Sequence, residues 1–150
     1  MVAKSFTAQI EEWARKVEGA VEAIFKEAVH ELVEQADQLL TQLVYEAPPS
    51  PNYRRTGFLR ASVTASNASM PPANRPQGVP DGGYMAEIEI VIAGSDLGQT
   101  IYIGWTAEYS GYVHYGANGT VPKPWVDLVA QRWRSIVDDK TAELKKRLGL

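Results

Sequence analysis

The stretch "YRRTGFLRAS", residues 53–62, concentrates residue types that suit a contact with phosphate or nucleic acid. Its charged and aromatic members are Tyr53, Arg54, Arg55, Phe58 and Arg60. Guanidinium groups bind phosphate oxygens in pairs, and aromatic rings offer faces on which bases stack. A fourth arginine, Arg75, follows in a loop and extends the set. One interpretation is therefore a nucleic-acid-binding module that uses the Arg54, Arg55 and Arg60 cluster.

General acid–base or metal chemistry has few candidates in this chain. There are two histidines, His30 and His114, and no cysteine. His30 and Glu34 have the spacing to share a helix face, but a metal site needs a third ligand that the sequence does not place near them. No serine lies in a nucleophile-elbow context, so a small hydrolase using His114 is a minor hypothesis with no nominated substrate. We predict a protein that is not an enzyme and has no metal or cofactor.

Composition and charge argue against a protein that binds nucleic acid or membranes through its overall charge. The 150 residues carry a formal charge of −3 with a pI near 5.4, which gives no general attraction to phosphate-bearing surfaces. No apolar run approaches the roughly 18 residues of a membrane span. The absence of cysteine excludes disulfides and thiolate metal sites. We expect a soluble, cytoplasmic chain without a leader, folded as a single domain over residues 1–150.

A long helix is predicted for residues 1–46. Between Phe6 and Tyr45 there is no proline and one glycine, Gly19, while apolar residues recur at steps of three and four. Such a helix is longer than a small domain needs to cover its own core. Either it kinks near Gly19, or its first half packs on something outside this chain. The prolines of "EAPPSPN" (46–52) then end it.

An antiparallel sheet of three to four strands is predicted within residues 57–106, launched by the Thr56–Gly57 turn. Three segments alternate polar and apolar residues with a period of two: 59–65, 84–92 and 99–106. The last two read as a hairpin, and a long Pro- and Gly-rich loop (67–83) separates them from the first. A final helix is predicted over residues 122–148, packed on the sheet. The fold class is therefore α+β, with helices laid on an antiparallel sheet.

Charge is distributed unevenly along the chain, with acidic groups in excess in residues 1–46 and basic groups in excess in residues 121–150. Such asymmetry suits contacts between copies of a protein, although solvated helix faces produce the same pattern.

Two short blocks of sequence resemble the minor tail, or tail-completion, proteins of long-tailed bacteriophages and related gene-transfer particles. The first has the form Thr-Gly-x-Leu-Arg-x-Ser and is matched by Thr56, Gly57, Leu59, Arg60 and Ser62. The second is an aromatic turn followed by a proline and an aromatic residue that open the last helix; it is matched by Tyr109, Tyr112, Val113, Gly116, Pro124 and Trp125. The order of elements agrees over residues 6–148. The chain departs from the family at His114, where glutamate is common.

The resemblance implies a structural virion protein rather than an enzyme. Members of this family form rings, often of six copies, at the junction between the tail and the head connector, and the genome passes through the centre. The expected partners are other copies of the chain, head connector or adaptor proteins, and tail terminator or tail tube proteins. DNA would be a non-specific neighbour and no membrane would be involved. The protein would be assembled in the cytoplasm of the bacterial host and reside at the head–tail junction of the virion, with Arg54, Arg55 and Arg75 facing the channel or a neighbouring subunit.

Overall fold

The fold begins with one long helix, α1, in a computed structural model that describes residues 5–47, 56–76, 83–117, 119 and 121–149. Helix α1 spans Phe6–Leu40 and continues as a π-helical turn over Thr41–Tyr45. Ser5 caps its start, where the side-chain oxygen accepts the Ala8 N–H at 3.2 Å. The helix passes through Gly19 without interruption. The predicted long helix is thus present from Phe6 to Tyr45 and does not break at its glycine, while residues 1–4 of the predicted span lie outside the described residues.

A helical turn precedes the first strand. Gly57 has φ 85°, a conformation that costs glycine little, and the Thr56 hydroxyl accepts the Phe58 N–H at 3.3 Å. Helix α2 (Phe58–Ala61) follows, and strand β1 (Val63–Ser66) comes after it. The prediction of a strand over 59–65 was therefore wrong for its first half.

Residues 84–92 were predicted as a strand, and this prediction was wrong: helix α3 spans Tyr84–Gly94. The helix runs antiparallel to α1, since Tyr84 bonds Asp37, Glu89 bonds His30 and the Ala93 carbonyl accepts from Lys26. It buries Ile88 and Ile92, which are one helical turn apart, and leaves Ile90 71% exposed. Contacts with α1 therefore outweigh a local pattern in which all three isoleucines would share one face of a strand.

The sheet has two antiparallel strands in the part of the chain that the structure describes, rather than three to four. Strand β2 (Tyr102–Trp105) pairs with β1 in a register that sets Val63 opposite Trp105 and Ser66 opposite Tyr102. The predicted hairpin between 84–92 and 99–106 is consequently absent, because its first segment is α3. Of the predicted loop, residues 77–82 lie outside the described residues, and Arg75 forms an isolated parallel bridge to Ala107.

Three helices complete the chain. They are α4 (Ser110–Tyr115), α5 (Trp125–Ala130) and α6 (Trp133–Leu148). The predicted C-terminal helix over 122–148 is present as two helices separated at Gln131–Arg132. The prediction that this helix packs on the sheet was wrong for α6, which packs on α1. Its polar contacts to α1 are Arg132 to Gln35, Lys140 to Glu31 and Arg147 to Glu27.

One hydrophobic core lies between the second half of α1, the two strands and the short helices. Its most deeply buried large side chains are Leu40, Phe58, Leu59, Ile88 and Trp125. The fold is therefore mixed helix and sheet, with a long N-terminal helix and a C-terminal helix as expected. No described helix is both long enough and apolar enough to cross a membrane.

Candidate functional site

A charged cluster at the centre of the fold joins α1, α2 and α3. The Arg60 guanidinium donates to the Asp37 carboxylate through two nitrogens, with Nε–Oδ1 at 3.2 Å and Nη2–Oδ2 at 2.7 Å. The Tyr84 hydroxyl donates to the same carboxylate, 2.9 Å from Oδ1. Asp37 is largely buried, with a side chain 16% exposed, and Arg60 is 35% exposed. The cluster holds three helices together through one carboxylate.

The electrostatics of this cluster favour a charged Arg60 and a protonated Tyr84. The hydrogen bond to Asp37 is the main reason that the pKa of Arg60 lies above its ordinary value. Burial raises the pKa of Tyr84, and its hydrogen bond to Asp37 raises that pKa further. Tyr45 adds to the cluster, since its hydroxyl accepts the Arg60 backbone N–H at 3.4 Å and its ring lies 5.9 Å from the guanidinium carbon.

The other residues of the first block form the turn that leads into β1. The Ser62 side chain is buried and its hydroxyl donates to the Leu59 carbonyl at 2.7 Å. The Ser62 carbonyl accepts both the backbone N–H and the hydroxyl of Thr106, at 2.9 and 2.8 Å. The hydroxyl and carbonyl of Ser62 and the N–H and hydroxyl of Thr106 are thereby hydrogen-bonded inside the protein.

The second block packs beside the first. The ring of Tyr109 lies 6.4 Å from that of Phe58, and Val113 and Trp125 are buried in the same core as Leu59. Trp125 also meets Trp105 of β2 edge-to-face at 5.6 Å. Gly116 ends α4 with φ 80° and ψ 147°, a region open to glycine alone. Pro124 then precedes α5, so two blocks some fifty positions apart build one core.

His114 lies inside this aromatic cluster and is 5% exposed. Its Nε2 accepts the backbone N–H of Asp127 at 3.4 Å, and the Asp127 carboxylate is 3.9 Å away. The Trp125 ring lies 5.1 Å from the imidazole. Its Nδ1 has no hydrogen-bond partner among the described residues, and the same holds for the indole N–H groups of Trp105 and Trp125. The imidazole is therefore almost fully enclosed by protein.

One residue of the second block stays at the surface. Tyr112 is exposed, and so are Tyr115 on the same helix and Val121 in the loop that follows. Tyrosine is among the residues enriched at energetically important contacts between proteins. Among the residues of the two blocks, Tyr112 therefore has an aromatic ring that a partner protein can contact.

Two of the four arginines, Arg60 and Arg75, lie in the described residues, and each contacts other groups of the protein. Arg54 and Arg55 lie outside the described residues. Arg60 is paired with Asp37. Arg75 donates to the Thr106 hydroxyl at 3.4 Å and lies 5.1 Å from the Phe58 ring. It lines a cleft of about 160 Å³ whose wall also includes the carboxyl-bearing Glu87.

The helix pair His30 and Glu34 is close, as its spacing predicted, with 3.7 Å between Nε2 and Oε1. Glu89 of α3 approaches the same nitrogen at 3.0 Å. In the described ranges no group of three or more potential ligands is arranged to hold a metal ion. Glu89 was not predicted as a partner because its segment was assigned to a strand.

Asp37 and Tyr84 are the central residues that sequence reasoning missed. Asp37 follows Ala36 and precedes Leu39 and Leu40 in an otherwise apolar part of α1. A single carboxylate at the edge of a buried helix face indicates that a cation or donor must meet it. Such a signal points to Arg60 only when the path of the chain between them is known.

Comparison with models of protein families, with curated proteins and with solved structures finds no match to this chain.

Proposed function

We propose that this protein is a structural subunit of the head–tail junction of a long-tailed bacteriophage or a related gene-transfer particle. In this role copies of the chain form a ring, with six as the expected number, that completes the tail and lets it join a DNA-filled head. The partners are the head connector or adaptor on one side and the tail terminator or tail tube on the other. Under this proposal the chain resides in the virion and performs no catalysis.

The observation that carries the proposal is that the two blocks on which the resemblance rests are packed together in one core. Leu59 of the first block and Trp125 of the second belong to the same buried cluster. Arg60, the charged residue of the first block, is bound to Asp37 of the long helix. Both blocks contribute to one core, which supports a structural role for them rather than a catalytic one.

The long helix adds a second line of support. Its first half projects from the core and exposes apolar side chains, as expected for a subunit that is completed by its neighbours. Tyr112 provides a further exposed apolar contact beside the second block.

The test is to produce particles with and without this chain in a host that carries the neighbouring virion genes. Without the chain, DNA-filled heads and finished tails should accumulate separately, and a supplied wild-type copy should restore joining. Electron microscopy of the lysate counts joined particles. Normal joining without the chain would contradict the proposal.

A pair of variants separates a contact surface from general stability. Tyr112→Ala should reduce joined particles while the purified chain keeps its helical circular dichroism. Asp139→Asn changes an exposed polar residue of α6 and should leave the yield unchanged. Equal yields from both variants would show that Tyr112 is not a contact in the particle.

A further inference from the structure

The first half of α1 exposes a row of apolar side chains in the described chain. We define residues 6–23 as the arm; at about 1.5 Å per residue it extends about 27 Å. Tertiary contacts of α1 begin just beyond it, with Phe25 against Trp133 and Lys26 against the Ala93 carbonyl. Among the described side chains of the arm, none is buried. The arm is thus continuous with the packed half of α1, and its described side chains are exposed or partly exposed.

An apolar stripe runs along the arm. Phe6 is 76% exposed, Ile10 49%, Val17 41% and Val21 47%. Their spacings of four, seven and four place them on one face of a helix, in the pattern that helices use to pack on one another. Isolated exposed apolar residues are ordinary, but a regular row along one helix face marks an interaction surface.

The end of α6 lies beside the base of the arm, because Arg147 is bonded to Glu27 at 2.9 Å. Beyond that point the stripe is exposed in the part of the chain that the structure describes.

Charge identifies a complementary surface on another copy. Glu11 and Glu18 fall on one side of the stripe by helical spacing, and the Glu11–Arg15 pair is long at 3.9 Å and solvent-exposed. At the end of α6 lie Lys145, Lys146 and Arg147, followed by Leu148, which is 41% exposed. We call residues 145–148 the basic end. In the part of the chain that the structure describes, Lys145 and Lys146 have no ion pair.

We propose that the arm of one copy docks on the basic end of a second copy of this chain. Leu148 contacts the stripe, while Lys145 and Lys146 face Glu11 and Glu18. Arm-to-arm pairing is the less favourable arrangement because it brings acidic flanks together. Since the two surfaces differ, the contact is head-to-tail and repeats from copy to copy until a ring closes. The closed ring rests on the proposed function, but the contact itself requires no virion component.

The test uses two variants that each lose one surface. The arm variant carries Ile10→Gln, Val17→Gln and Val21→Gln, with glutamine chosen because it preserves helix. The end variant carries Lys145→Glu, Lys146→Glu and Leu148→Gln, and it leaves Arg147 in its contact with Glu27. Glu108→Gln, at an exposed residue of the turn after β2 and outside both surfaces, is the control. Circular dichroism establishes that each variant is folded as the wild type is.

Sedimentation then measures the mass of each protein against concentration. The wild type and the control should assemble beyond a dimer, and each surface variant alone should associate at least tenfold more weakly. An equimolar mixture of the two variants should form dimers and stop there, because it contains one intact arm and one intact basic end per pair. A wild type that stays monomeric, or a mixture that does not associate while the wild type does, would overturn the head-to-tail contact.

Cross-linking provides an independent readout, since the chain has no cysteine of its own. Copies with Ile10→Cys and copies with Leu148→Cys should form mixed disulfide dimers when oxidised together. Dimers formed solely between two Ile10→Cys copies would overturn the proposal in favour of arm-to-arm pairing. Assembly in solution combined with normal joining of particles that lack the chain would refute the virion role and leave this interface standing. A monomeric wild type, together with heads and tails that stay unjoined when the chain is missing, would refute this interface and leave the virion role standing.

Discussion

Helix α1 contains two halves of similar apolar periodicity and opposite surroundings. In residues 28–44 the stripe faces the strands and short helices, and Val33 and Leu40 are 2% and 0% exposed. In the arm, the same kind of stripe faces solvent. The difference shows that a helical repeat of apolar residues specifies a face for packing and leaves open what that face packs against. Within the described residues, one half packs against the rest of the chain and the other exposes its apolar stripe.

The largest expected effect is on the packed half. Leu40→Ala removes a fully buried side chain and should lower the free energy of unfolding by about 2–5 kcal/mol. Denaturant unfolding followed by circular dichroism measures the change. A loss below about 1 kcal/mol, the lower edge of ordinary core truncations, would mean that this half is not the core that the structure describes.

A matched pair of valines compares the two halves directly. Val33→Ala should cost about 2 kcal/mol because it removes buried methyl groups and leaves a cavity. Val21→Ala should change the stability of the isolated chain by less than about 0.5 kcal/mol, and in the stabilising direction, because alanine is the better helix former. The same denaturant experiment at a concentration where the chain is monomeric measures both. If both variants lost the same free energy of unfolding, the arm and the packed half would not differ in their contribution to stability.

The polar residues of α1 allow the same comparison. Asp37→Asn weakens the bonds from Arg60 and Tyr84, and it should cost about 1–3 kcal/mol, the range for hydrogen bonds to charged groups. The value should fall in the lower part of this range because Arg60 is partly exposed to solvent. Glu18→Gln on the arm is the matched control and should be neutral in the monomer. A neutral Asp37→Asn would show that the cluster does not hold the three helices together.

The smallest effect concerns pH. The pKa of Tyr84 is raised on folding. The contribution of protonated Tyr84 to the free energy of unfolding is therefore complete below about pH 10, the ordinary tyrosine pKa. This contribution is lost as pH rises through the higher pKa of the folded state. Above about pH 10 the unfolded chain releases this proton first, so the free energy of unfolding falls as pH rises. Tyr84→Phe should cost about 1 kcal/mol at neutral pH and should remove this part of the alkaline decline. Unfolding curves of both proteins between pH 8 and pH 11 measure it; parallel declines would contradict the assignment.

Several features could be predicted from residues near each other in the chain. The long helix follows from its periodicity and lack of proline, whereas the turn at Thr56–Gly57 is present but leads into helix α2 rather than directly into the predicted strand. The division of the last helix at Gln131–Arg132 carries no proline or glycine signal. Two short blocks sufficed for the resemblance, yet they could not indicate that Leu59 and Trp125 share one core.

Helix α3 shows most clearly where local pattern fails. Residues 84–92 alternate as a strand does, but Tyr84 and Glu89 bond to Asp37 and His30 on α1, and those bonds require helical spacing along both segments. Interactions across forty to sixty positions thus override a preference set by immediate neighbours.

The sequence by itself determined which segments of this protein have an apolar face, that residues 6–45 are helical, and that its charge is acidic at the start and basic near the end. The tertiary structure decided that Arg60 serves Asp37, that 84–94 is a helix, and that half of α1 is covered while the arm is not. The physical reason is one of range. Helix periodicity and turn chemistry act over a few residues, whereas the partner of a carboxylate or an apolar stripe depends on which distant segments the whole chain brings together.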